Sequence, residues 1–382
     1  MKKIPYGKQF IDKRDMYAVK KSLSEELITT GNYVEKFEKE FVKFTKSKFA
    51  VSCNSGTSAL HLALSSVDIK KDDIIIMPAI NFIAVYNMSK TLGAKIYLAD
   101  VDPITGQMTP QTLLECVKKN KIRKIKLIIT MFLGGYPENV IEFYRIKKKY
   151  KCLIIEDACH SLGASYKFNK KQVRVGACLH ADISCFSLHP VKTITAGEGG
   201  IITTNIKSFY QKIKQMRSHG ILRHKSKHWK YDVTKLGYNY RLSDLNCALA
   251  LSQLKKINKF VNFRKKIYLE YFKNLKNIID LPRYSSVKNS SFHLFIISIN
   301  FHKLGISKDS FFKFFKSKNI FLQYHYIPIY KFKIYNDKKN SFKGAEYYYK
   351  SSLSIPIFYK FDQKDQKKII VLIKNFLKKN KS

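Results

Sequence analysis

Two stretches carry residue types that could do chemistry: Leu153-Ile154-Ile155-Glu156-Asp157-Ala158-Cys159-His160 and Ser187-Leu188-His189-Pro190-Val191-Lys192. In the first, an apolar run ends in two carboxylates, and the carboxyl ends of strands in a parallel sheet face the crevice where such sheets bind ligands. A carboxylate there can hold a protonated ring nitrogen; it can equally cap a turn or sit in a buried ion pair. In the second, Lys192 follows a strand-like run, with hydroxyls before it and Gly197-Glu198-Gly199-Gly200 after it. Desolvation at such a place lowers a lysine pKa and leaves a nucleophilic amine. In a chain with 71 Lys plus Arg, the competing reading is an ordinary surface lysine.

Two further stretches could receive an anion. Asn54-Ser55-Gly56-Thr57-Ser58 stands between a strand pattern and a helix pattern. Glycine admits close backbone approach, and a helix start offers unpaired N–H groups and a positive dipole end, which suits a phosphate. An ordinary Ser or Thr N-cap has the same look, and the stretch is not a Walker motif. Leu236 to Asp244 forms a turn before a long helix, where Asn239 and Arg241 could donate to an anion or simply cap the helix; Arg217-Ser218-His219-Gly220 is ambiguous in the same way.

A frame for these residues is visible in the spacing of apolar positions. Lys48 to Ser52, Asp73 to Met77, Lys95 to Ala99, Lys126 to Thr130, Leu153 to Glu156, Ile183 to Ser187 and Gly200 to Thr204 read as strands. Ser58 to Ser66 and Ala84 to Leu92 read as helices between them, and this alternation predicts an α/β fold with a mainly parallel sheet. Helical spacing also runs from Gln9 to Phe44, broken by a turn at Leu27 to Gly31. After Tyr240 a long helical segment, Asp244 to Asn274, leads into a mixed α+β tail. The expected division is a large domain over 1–243 and a smaller carboxy-terminal one over 244–382.

At 382 residues the chain is long enough for two domains, and 45% apolar content argues against disorder despite a net charge of +43. A pI near 9.9 invites a polyanion. The lysines are dispersed, however, and the densest runs, Lys147 to Lys151 and Lys374 to Lys381, have the pattern of solvated helix faces, so no nucleic acid partner is expected. A phosphorylated small substrate could still use the field. Seven cysteines show neither a C-x-x-C pair nor zinc spacing, so no metal is expected and a reducing cytoplasm fits. The basic stretch Met1 to Lys8 lacks the apolar core of a signal peptide, and no run reaches the ~18 apolar residues of a membrane span.

Taken in chain order, the Gly56 turn, Asp157, Ser187, Lys192 with Gly-Glu-Gly-Gly behind it, and Gly237-Tyr238-Asn239-Tyr240-Arg241 resemble the nucleotide-sugar aminotransferases of the DegT/DnrJ/StrS family over nearly the whole chain. The resemblance implies a fold-type-I pyridoxal 5'-phosphate enzyme working as a homodimer with shared active sites. Lys192 would bond to the cofactor and then carry protons, Asp157 would pair with the pyridine nitrogen, and Phe82 would stack on the ring. His160 would lie near the phenolic oxygen. Gly56, Thr57 and Ser187 would receive the phosphate, and Asn239 would arrive from the other subunit. Nucleotide-sugar contacts would fall at Tyr6, at Glu26, Leu27, Ile28 and Thr29, at Gly56, Ser187 and Asn239, and at Gln323, Tyr324, His325 and Tyr326.

Within the family, His189 to Thr195, Arg217 to Ile221 and Gln323 to Pro328 are most similar to members that move an amino group from L-glutamate to C4 of a UDP-linked 4-keto-6-deoxy-N-acetylhexosamine, in pseudaminic acid synthesis. Amination at C3 or of a dTDP- or GDP-linked keto sugar stays open, as does a non-catalytic polyanion-binding protein on the same fold. Dehydrating relatives carry His in place of Lys192, so its presence favours amino transfer. Val85, Leu188 and Tyr136 stand where Thr, Phe and Gln are common, and Tyr136 and Leu188 are expected to reshape the pocket.

Overall fold

Strands β1 (Phe49–Cys53), β2 (Ile74–Pro78), β3 (Lys95–Ala99), β4 (Leu127–Met131), β5 (Leu153–Asp157), β8 (Ile183–Ser187) and β9 (Gly200–Thr204) form one sheet in a computed structural model of the chain. The structure describes residues 2–224, 226–227, 229–335 and 341–380, so Met1 and Lys381 of the two basic stretches lie outside the described residues. The spatial order is β1-β9-β8-β5-β4-β2-β3. β9 runs antiparallel to both its neighbours, and every other pairing is parallel. The expected mainly parallel α/β sheet is therefore what forms. A small hairpin, β6 (Ser165–Phe168) with β7 (Lys171–Arg174), intervenes before β8.

Helices α1 (Lys13–Ser22) and α2 (Asn32–Thr45) precede the sheet, α3 (Gly56–Ser66), α4 (Ala84–Thr91), α5 (Pro110–Lys119) and α6 (Val140–Tyr150) connect its strands, and α7 (Lys207–Met216) follows the last of them. Side chains alternate across a strand, and the two faces bury different helices. Ile75, Met77, Ile129 and Ile155 pack with Leu60 and Leu64 of α3 and Val85 of α4. Ile76, Ile128 and Ile154 pack with Leu113 and Val117 of α5 and Phe143 and Ile146 of α6. Burial on both faces explains why these strands read as unbroken apolar runs. In α6, Lys147 departs from the expected solvated face: it turns in to Asp182 at 2.6 Å, only 17% exposed.

The segment read as one helix over 244–274 is two, α8 (Asp244–Leu254) and α9 (Ile257–Leu275). The break falls where Lys256 reaches Asp12 at 2.9 Å and Asp15 at 2.6 Å, tying α1 to the junction. The amino-terminal helical pattern likewise starts later than expected, because Asp12 caps α1 in a reciprocal box with Asp15. Asp15 is fully buried and also accepts from Ser252 Oγ and Gln253 Nε2. Removing one member of a buried, hydrogen-bonded ion pair strands the other. Asp15→Ala is expected to lower the unfolding free energy by about 3 kcal/mol, read as a drop in urea midpoint at unchanged m-value.

Hairpin β10 (Ile221–Arg223) with β11 (Tyr231–Val233) follows α7. Beyond α9 come α10 (Tyr284–Val287), β12 (Phe295–Ser298), α11 (Lys308–Ser317), α12 (Lys343–Ser351), β13 (Ser352–Ile355) and α13 (Gln363–Lys379), with β12 and β13 antiparallel. Cys247, Ala248 and Leu254 of α8 pack with Phe37 and Phe41 of α2, whereas from Ile267 onward a second core gathers Tyr271, Phe311, Phe315, Ile369 and Ile373. Ile4 joins that second core through a backbone bond to Asn319 at 2.9 Å, which brings the amino-terminal segment past Tyr6.

Candidate active site

The carboxyl end of β5 delivers Asp157, and the neighbouring end of β8 delivers Ser187, after which the chain loops through Lys192 before returning as β9. Ser55 caps α3 by accepting the Ser58 amide at 3.0 Å, so Gly56 and Thr57 open the helix toward Ser187. These ends, with Asn81 and Phe82 beyond β2, surround a cavity of about 640 Å³. The carboxy-terminal part closes it with His293 and Gln323 to Tyr326, and the amino-terminal segment adds Tyr6.

Burial dominates the electrostatics here. It pulls the Lys192 amine below its ordinary range, partly offset by Cys159 and Asp157. It pushes the Asp157 carboxyl up, against bonds from Cys159 and the nearby Lys192 charge. Asp157 is 2% exposed, accepts the Cys159 amide at 3.2 Å, and forms no ion pair among the described residues. His160 is held well below the usual imidazole range by burial and then by Lys192, and shares a 2.8 Å hydrogen bond with the Tyr326 hydroxyl through Nε2. His325, pushed down to about 3, bonds Ser354 Oγ through Nδ1 at 2.9 Å. At the rim His189 and Glu198 stand 3.8 Å apart.

Gly56 has a steric reason to lack a side chain: a Cβ there would meet Ser187 Cβ at 2.9 Å and its Oγ at 3.2 Å. Phe82, although apolar, leaves 52% of its surface open on the cavity wall, 5.6 Å from the Tyr326 ring.

Of the residues singled out from sequence, Lys192, Gly56, Thr57, Phe82, Asp157, His160, Ser187, Tyr6, Gln323, Tyr324, His325 and Tyr326 meet in this one cavity. Asn239 and Glu26 to Thr29 do not line it. Asn239 bridges Ser218, whereas Thr29 bridges Ser243 and the Ile28 carbonyl accepts the Asp244 amide. Arg217 does not line the cavity either; its Nη1 donates to Glu38 at 2.6 Å and to the Ser52 carbonyl at 3.0 Å. The expectation that Tyr136 and Leu188 reshape the pocket is corrected: both are buried and neither lines the cavity, Tyr136 belonging to the core that holds Tyr268 and Leu188 to the core that holds Phe186. Val85 is a core residue of α4. Asn81, Cys159, Glu198 and His293 line the cavity without having been singled out as site residues. Cys159 and Glu198 lie inside stretches already singled out and Asn81 precedes Phe82, so adjacency was their signal; His293 had none. Among the described residues no group of three or more His, Cys, Asp or Glu could hold a metal ion, and no helix is long and apolar enough to cross a membrane.

A desolvated lysine and a buried aspartate meeting at the strand ends of a parallel sheet is the arrangement of fold-type-I enzymes, which use pyridoxal phosphate to move amino groups. The chain belongs to the DegT/DnrJ/EryC1/StrS aminotransferase family, whose model matches residues 9–374. It is 36% identical over 368 residues, 95% of each chain, to the UDP-4-amino-4,6-dideoxy-N-acetyl-beta-L-altrosamine transaminase of Campylobacter jejuni subsp. jejuni serotype O:23/36 (strain 81-176). The structure of Helicobacter pylori PseC, an aminotransferase involved in the biosynthesis of pseudoaminic acid, superposes with a TM-score of 0.91 at 28% identity, covering 99% of this chain and 100% of that one. Spr1654 of Streptococcus pneumoniae, solved in PLP and PMP forms, shares the fold at TM-score 0.89 and 22% identity, over 99% of this chain and 100% of that one. The chain is thus a pyridoxal phosphate-dependent sugar aminotransferase, and a purely polyanion-binding role is set aside.

Proposed function

We propose that this aminotransferase moves the amino group of L-glutamate to C4 of a UDP-linked 4-keto-6-deoxy-N-acetylhexosamine. The observation that carries the reading is the Lys192 amine, shifted toward its neutral form by burial and opening on the same cavity as Asp157. The choice of sugar is supported by the substrate in the name of the 36% identical relative and by the presence of Tyr6 and Gln323 to Tyr326 in the cavity wall. We read the reaction as cytoplasmic, in keeping with the reducing compartment that the seven unpaired cysteines fit.

The residues present fit the cofactor. The buried Asp157 carboxyl forms no ion pair among the described residues, and a ring N–H would supply one. The first-turn amides of α3 at Gly56 and Thr57, with Ser187 Oγ, suit a phosphate, and the open face of Phe82 suits a flat ring. His160 stands ready for a phenolic oxygen. When bound, pyridoxal phosphate supplies an aldehyde that takes up the amine and a ring that accepts the electron pair left by a departing proton. Asp157 keeps the ring nitrogen protonated. Lys192 Nζ takes the proton from the α-carbon of the amino donor, and later returns a proton to the sugar carbon that receives the amine.

We place Asn239 and Glu26 to Thr29 at the cavity of a second copy in a homodimer. Leu27 and Ile28, 55% and 49% exposed, support a covered surface there. Incubation with L-glutamate and a panel of UDP-, dTDP- and GDP-keto sugars, followed by NMR location of the new C–N bond, tests the assignment; amination at C3, or only of a dTDP- or GDP-sugar, refutes it.

The cradle makes a separate prediction. Gly56→Ala drives a methyl into Ser187, and overpacking of 1–3 kcal/mol corresponds to cofactor retention roughly ten- to a hundredfold weaker. Equilibrium dialysis of the cofactor against wild type and variant measures it.

A further inference from the structure

His293 lines the cavity, is 2% exposed, and takes no part in the steps above. Its ring lies against His160, with centroids 4.4 Å apart and planes at 53°. Its carbonyl accepts from Nη1 of Arg264 at 3.2 Å, and the same nitrogen bonds the Ile357 carbonyl at 2.9 Å. Arg264 is itself buried and forms no ion pair among the described residues, so its guanidinium serves as a brace between two backbone segments.

Two residues earlier, Ser291 Oγ donates to the His160 carbonyl at 2.6 Å, and the Ser291 amide donates to Gly135 at 2.9 Å. The packing leaves no slack. At Gly135, with φ of +102°, a Cβ would collide with Ser291 Oγ and stand 2.6 Å from the His160 carbonyl. On the far side Tyr326 holds His160 Nε2 at 2.8 Å. His160 is thus gripped at its carbonyl, its ring face and one ring nitrogen, each time by a residue of the carboxy-terminal part.

We propose that His293 is a positioning residue, whose ring sets the orientation in which His160 faces the reacting centre. The proposal rests on the reading that His160 borders the cofactor. The charged and titratable groups around the pair are Lys192, Arg264, His325, His189 and Tyr326. Neither ring has an ion-pair partner among the described residues, and two cations at this spacing repel, so the tilted pair consists of neutral rings. A neutral imidazole keeps one N–H and one lone pair, and its usefulness depends on which way each points.

The test is ¹⁵N-histidine NMR of the protein with and without pyridoxal phosphate, with His160→Gln assigning the His160 ring, alongside steady-state kinetics. Wild type should show His160 as one fixed tautomer. His293→Ala should give averaged ring nitrogens and a kcat lowered about 10²-fold, as misplacement near a reacting centre does, with KM for the nucleotide sugar little changed. His293→Phe, which restores a flat ring, should recover both the fixed spectrum and most of the rate. Should the alanine variant fail to fold, His293→Leu fills the volume without a flat face and should show the same loss. A fixed His160 spectrum in the alanine or leucine variant, or no recovery with phenylalanine at equal thermal stability, overturns the proposal. If instead no amine is transferred by wild type while its His160 spectrum is fixed, the functional reading fails and the packing claim survives.

Discussion

Lys192→Ala is expected to reduce amino transfer by about 10⁴-fold, the upper range for loss of a positioned proton-transfer group, while pyridoxal phosphate still binds. Borohydride treatment followed by peptide mass analysis should find the cofactor attached at Lys192 in wild type and nowhere in the variant. Lys192→Arg should be equally inactive, because a guanidinium keeps the charge but neither bonds the aldehyde nor releases its proton. Since burial lowers the Lys192 pKa, the neutral amine becomes available below the ~10.4 of a free lysine. The acid limb of the rate profile should therefore lie below that value, and a small primary amine added to the alanine variant should restore part of the rate as pH rises. Turnover surviving in Lys192→Ala without added amine would remove the lysine from the chemistry.

Much of this site was legible because its residues sit at the ends of strands whose apolar runs are unmistakable. Asp157 closes Leu153–Asp157 and Ser187 closes Ile183–Ser187, and parallel pairing of β5 with β8 brings the two ends together. The start of α3 was readable to within two residues, since Ser55 caps it, whereas that of α1 was read too early because Asp12 caps it. What stayed hidden depends on contacts between residues far apart in the chain. Lys256 has no local mark that separates it from dozens of other lysines, yet its pairing with Asp12 and Asp15 coincides with the break in a helix that periodicity would continue. His293, set between Phe292 and Leu294 at the entrance to β12, looks like any core histidine; its place beside His160 follows from how Ser291 packs on Gly135. Tyr136 and Leu188 lie in loops beside the cavity, and only the packing shows that they turn inward to the cores.

Asp157→Asn is expected to separate stability from catalysis. Burial raises the Asp157 pKa, so the folded cofactor-free protein binds this proton more tightly than the unfolded chain does. That contribution is complete below the ordinary aspartate value of 3.8 and is lost as pH rises through the raised one. Above the raised pKa the cofactor-free protein carries a carboxylate that burial disfavours, and there the neutral amide should raise its melting temperature. With cofactor present the order reverses, because the carboxylate gains a ring N–H as its partner and the amide cannot match that charge. Amino transfer should fall roughly 10²- to 10³-fold, as when one preorganised electrostatic partner of a developing charge is removed. Calorimetry of both proteins with and without pyridoxal phosphate, beside kcat, checks the reversal: an asparagine variant less stable than wild type when cofactor-free would mean that Asp157 already has a cation partner, and the case for a ring nitrogen facing it would fall.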